Sequence, residues 1–100
     1  MAWLPCPHLD SHVELTDERY GHIQERHPDL LPEHFDKLVQ TLARPDDVRR
    51  GRETNEWVFS RWYDSIYDGE NVLVFVLRDP GRDWIVTARV SRMPRRRGLR

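Results

Sequence analysis

Histidines and arginines at helical or strand spacing are the groups in this chain that can move protons or hold a phosphate. His22 and Arg26 stand four residues apart, so a helix carries them on one face, with Arg19 and Glu18 adjacent. An unperturbed imidazole titrates close to neutrality, which makes His22 a candidate general acid or base. The competing reading is an ordinary exposed histidine. Tyr20, Ile23 and His27 fall on another face of that helix, the core-facing set, and His27 is read as structural, bonding the turn at Pro28. In Glu56 to Tyr63, Arg61 shares a face with Trp57, Phe59 and Tyr63. An arginine among aromatic rings can hold a phosphate while a base stacks beside it. It can equally stack on tryptophan as a packing element and pair with an acid. Alternation through residues 84–91 puts Trp84, Val86, Ala88 and Val90 on one side. Ile85, Thr87, Arg89 and Ser91 then form a face polar enough for solvent or a ligand.

Other chemistries lack their residues. Cys6, His8 and His12 have no second cysteine pair or HExxH spacing beside them, and His22 and His27 are five apart, off a common helical face. No Gly-rich phosphate loop or nucleophile elbow is present. The expectation is no metal and no cofactor.

The elements that must position these groups follow from pattern. One hundred residues, 38% hydrophobic and 33% charged, suffice for one core but not two. Residues 1–12, with Pro5 and Pro7, read as a flexible N-terminal arm ending in the alternating lead-in His12 to Leu15. Thr16 or Asp17 caps a first helix over 17–27, stopped by Pro28. Gly21 within it points to close packing. Phe35, Leu38, Val39 and Leu42 at i, i+3, i+4 and i+7 give a second helix over 32–43. Val48 to Arg52 pairs weakly as a strand. The runs 56–63, 71–77 and 84–91 are stronger strands, joined at Asp68-Gly69 and Pro80-Gly81. The apolar run 71–77 reads as a central strand covered on both faces. The expected fold is α+β, two N-terminal helices packed on a three- to four-stranded antiparallel meander.

Net charge is −1, yet residues 44–100 hold thirteen arginines against nine acids, and six arginines with no acid follow from Arg89 onward. Arginine suits bidentate phosphate contacts. The tail 95–100 reads as basic and disordered, and can touch a polyanion or simply be solvated. Cys6 is the single cysteine, so no intramolecular disulfide forms. With no membrane-length apolar run and no secretory pattern at Met1 to Leu9, the expected compartment is the cytoplasm.

Five segments in order carry a resemblance: 22–30 (HIQERHPDL), 41–48 (TLARPDDV), 59–63 (FSRWY), 72–76 (VLVFV) and 85–89 (IVTAR). Over about residues 13–94 the chain resembles the phage- and toxin-associated domains of the barnase–EndoU–colicin–RelE nuclease superfamily. The resemblance implies metal-independent RNA cleavage, the ribose 2′-OH attacking the adjacent phosphate to give a cyclic phosphate. By position it makes His22 the acid or base, Arg61 the phosphate clamp and Thr87 a phosphate-positioning group. Arg26, Arg89, Arg92 and Tyr63 are the accompanying substrate-binding set. Such domains often carry a tyrosine or lysine near the last strand, where this chain has Arg89 and Arg92. Arginine stays protonated and cannot act as a base. The implied partners are RNA and a cognate antitoxin or immunity protein. The alternative is a non-catalytic RNA- or protein-binding module. In the enzyme reading, His22, Arg61 and Thr87 converge within about 10 Å of one phosphate.

Overall fold

The first ten residues do not form a loose arm. In the computed structural model, which describes residues 1–66 and 69–91, they are part of the sheet. Strand β1 (Ala2–Cys6) pairs antiparallel with β2 (Ser11–Leu15) through a 3-10 turn at Pro7–Leu9. Pro5 is tolerated because β1 is an edge strand, Pro7 starts the turn, and Asp10 closes it at φ 54°. Leu4, Cys6, Val13 and Leu15 face the core and are buried. Burial pushes the Cys6 thiol above its ordinary pKa.

The chain continues as α1 (Asp17–Arg26), α2 (Phe35–Ala43), β3 (Asp47–Arg50), β4 (Glu56–Tyr63), β5 (Glu70–Asp79) and β6 (Arg82–Ser91). The sheet has six strands in the order β1-β2-β6-β5-β4-β3, mixed because β2 runs parallel to β6. The expected three- to four-stranded antiparallel meander is therefore overturned. Strands β3 to β6 do form a meander, but the N-terminal hairpin extends it through a single parallel register pair, Glu14 with Trp84. Side chains secure that junction. Ser11 donates to the buried Asp83 carboxylate at 2.6 Å, Arg78 donates to it at 2.9 Å, and Arg82 donates to Glu14 at 3.0 Å.

Both helices cover the same face. α1 is capped by Thr16, whose hydroxyl accepts from the Arg19 amide at 3.1 Å. α2 begins at Phe35 rather than Pro32. Leu30 and Leu31 are both fully buried, and the segment between the helices turns so that adjacent side chains enter one core. Leu38 and Leu42 pack there with Ile23, Phe59, Val72, Val74, Ile85 and Ala88. Tyr63 ties α2 to β4, its hydroxyl donating to the Lys37 carbonyl at 3.0 Å and lying 3.1 Å from the Thr41 hydroxyl. Close packing at Gly21 is not found, since the residue is exposed and an added Cβ would meet nothing within 4 Å. Gly21→Ala is accordingly expected to stabilise the domain by up to ~1 kcal/mol, seen as a higher urea midpoint. An unchanged or lower midpoint would contradict the open setting.

The hairpin between β5 and β6 turns on Pro80-Gly81, with Gly81 at φ 78° between the paired Asp79 and Arg82. Further along, Phe75 pairs with Thr87 but Val76 pairs with Ile85, so Val86 is an extra residue on β6. This bulge breaks the alternation expected for residues 84–91. Ile85 turns to the core side with Ala88 and Val90, while Trp84, Thr87, Arg89 and Ser91 share the other. Among the described residues no helix or strand packs on that second face, yet Leu73 and Ser60 on it are buried. No helix there is long and apolar enough to cross a membrane.

Candidate functional site

Register decides which candidates meet. Arg61 pairs with Val72 and lies on the core side of β4 with Phe59 and Tyr63, whereas Thr87 pairs with Phe75 on the open side of β6. The two side chains leave opposite faces of the sheet, so they cannot converge on one phosphate. Arg61 instead donates to the Arg44 carbonyl at 2.7 Å, closing the C-terminal end of α2, and its guanidinium lies 5.5 Å from the Tyr63 ring centre. Tyr63 is buried, its hydroxyl already occupied, and that burial raises its pKa. Neither residue is placed for substrate. Arg92 lies outside the described residues, as does the tail 95–100.

The remaining four candidates share one surface. Beyond the Glu14–Trp84 pair, β2 ends and α1 runs along the exposed edge of β6. The Arg19 guanidinium donates to the Val86 carbonyl at 3.1 Å, fixing the start of α1 against that edge. The buried Ile23 marks the inward direction of the helix. At ~100° per residue, Arg19, Arg26 and His22 lie about 40°, 60° and 100° to one side of Ile23. Tyr20 and His27 lie on the other side, and Tyr20 packs against Phe35 at 5.9 Å, on the helix-covered face. His22 and Arg26 therefore turn toward the open face. From Arg19 to Arg26 a helix advances about 10 Å, and from Val86 to Arg89 a strand advances about 10 Å. The side of α1 that carries His22 and Arg26 therefore runs beside the stretch of β6 that carries Thr87 and Arg89.

Electrostatics agree that the end of α1 lies near Arg89. His27 has a lowered pKa, first through desolvation and then through the positive charges of Arg89, His22 and Arg26, opposed by Asp29. Arg89 on β6 thus lies within electrostatic reach of His27, the residue that ends α1. Among the described residues neither Arg26 nor Arg89 forms an ion pair, and Arg89 rests 5.7 Å from the Phe75 ring centre. The result is a basic cluster at the rim of the sheet face that carries Phe75. Sequence reasoning missed Phe75 as part of it, because the run 71–77 read as buried on both faces.

The His27 shift carries a stability consequence. The folded state holds the imidazole neutral to lower pH than the unfolded chain, where it protonates near about pH 6.5. Its contribution is fully present above that value and is lost as pH falls through the folded pKa. The urea midpoint is expected to drop on acidification, with a smaller drop in His27→Gln. Equal acid sensitivity in both proteins would refute this role.

A cavity of about 290 Å³ lined by Met1, Ala2, Leu15, Asp17, Tyr20 and Phe35 lies elsewhere, at the N-terminus, where the terminal amine pairs with Asp17. Among the described residues no three His, Cys, Asp or Glu side chains are grouped to hold a metal ion. Comparison of the chain with protein-family models, curated proteins and solved structures finds no match.

Proposed function

We propose that the open-face cluster binds and cleaves RNA as a metal-independent endoribonuclease of the kind its sequence resembles. The observation that supports this reading most is the alignment of α1, which carries His22 and Arg26, with β6, which carries Thr87 and Arg89. Arg89 and Arg26 hold the phosphate, and their charge opposes the negative charge that grows on its oxygens in the transition state. Thr87 donates a hydrogen bond to a phosphoryl oxygen. Neutral His22 takes the proton of the ribose 2′-OH as that oxygen bonds to phosphorus. The bond from phosphorus to the 5′ oxygen breaks, and that oxygen leaves with a proton from water, giving a 2′,3′-cyclic phosphate. A cognate inhibitor protein would act by covering this surface.

Separation of Arg61 from the cluster removes a phosphate clamp and leaves His22 as the one proton-transfer group in it, which favours a second reading, an RNA-binding module without cleavage. Incubation of purified protein with total RNA in EDTA decides between them. Fragments ending in cyclic phosphate support the nuclease; retained RNA binding without fragments selects the module.

A further inference from the structure

The sheet face away from the helices extends beyond the basic cluster, and its register sorts it into rows. Ser91, Asn71 and Trp62 form one row across β6, β5 and β4; Arg89, Leu73 and Ser60 form the next, where Arg89 is exposed while Leu73 and Ser60 are buried. Thr87, Phe75 and Val58 follow. The last row joins Leu77, Trp84, Glu14 and Trp3, reaching the edge strand β1. Aromatic rings therefore lie on both sides of the Arg89–Thr87 pair. Trp3 is 56% exposed, an unusual setting for the largest apolar side chain. Trp84 is held in place, its indole N–H donating to Asp79 at 2.9 Å and one face lying 4.8 Å from the Arg82 guanidinium.

We infer that the Trp84–Trp3 row is a base-stacking subsite for single-stranded RNA whose phosphate sits at the Arg26–Arg89 cluster. This rests on the reading of that cluster as an RNA site. Trp84 lies three residues from Thr87 along β6, about 10 Å or less, so a neighbouring nucleotide reaches the row. Two strand spacings, also about 10 Å, separate Trp84 from Trp3. Charge complementarity selects nucleic acid as the occupant. Arg26 and Arg89, without an ion pair among the described residues, lie at one end of the face, and the acid between the tryptophans, Glu14, is paired with Arg82. The surface is a sheet with its rings spread across it, so it takes splayed, unpaired bases and offers nothing to a duplex, whose bases are already stacked.

Affinity for a short unstructured labelled RNA, read by fluorescence anisotropy in EDTA on His22→Gln protein, tests the subsite apart from the chemistry. Trp3→Ala is expected to weaken binding about tenfold or more, Trp3→Phe to restore most of it, and a matched duplex to bind far more weakly. Because Trp3 is on an exposed edge, these variants should fold; Trp84→Phe provides a conservative second position. Unchanged affinity in Trp3→Ala overturns the subsite, as does equal affinity for the duplex. A dimer that dissolves in Trp3→Ala while RNA affinity stays constant also overturns it, assigning the row to self-association. Wild-type protein that binds RNA with this tryptophan dependence but cuts none leaves the subsite standing and removes the nuclease reading.

Discussion

His22→Gln is expected to lower cleavage of RNA in EDTA by about a hundredfold to ten-thousandfold, the usual effect of removing a positioned acid or base. Glutamine keeps a polar side chain on α1 but cannot take a proton from the 2′-OH. The affinity of uncleaved RNA should change little, so the loss falls on kcat. Arg89→Ala is expected to lower turnover about a hundredfold through the charge that develops on the phosphate. It should weaken binding as well, and lysine at 89 should recover part of both. Arg61→Ala is the contrasting variant. On the covered face it should retain cleavage while losing a small amount of stability from the end of α2. A chain that keeps full activity without His22, or loses all of it in a folded Arg61→Ala, would place the chemistry elsewhere.

Deleting residues 1–10 is expected to unfold the domain. The segment supplies Leu4, Cys6 and Leu9 to the core, and its removal uncovers Val13 and Leu15 on β2. Each buried aliphatic side chain contributes about 1.5–3 kcal/mol, so the combined loss approaches the whole stability of a domain of this size, about 5–15 kcal/mol. The anchorage of Arg78 to the Leu9 carbonyl goes with it. Loss of cooperative urea unfolding by circular dichroism is the expected readout. A truncated chain with a sharp transition would show that the hairpin is an accessory.

Local pattern made several elements legible. The apolar stripe of Phe35, Leu38, Val39 and Leu42 is α2, Thr16 is the cap of α1, and the three strong strand runs are β4, β5 and β6. Even the division of α1 holds, with Ile23 inward and His22 and Arg26 turned another way. These follow from periods of 3.6 and 2.0 and from capping chemistry, which act over a few residues. The N-terminal strand was hidden because Pro5 and Pro7 signal loop, while the pairing that tolerates them joins it to Ser11–Leu15 and, beyond, to β6.

The site depended on long-range register. Arg61 and Thr87 were each assigned a face of their own strand, yet whether those faces coincide depends on how β4, β5 and β6 align. One extra residue, Val86, moves Ile85 across the sheet from Thr87 and Arg89, and no alternation pattern announces it. What the sequence by itself determined was the helices, the inward direction of Ile23 on α1 and the strands of the meander. Tertiary structure alone decided that α1 lies along β6 with its end near Arg89, while Arg61 leaves the other face of the sheet. A side chain's direction is set by its own backbone, but its neighbours are set by pairings made many residues away.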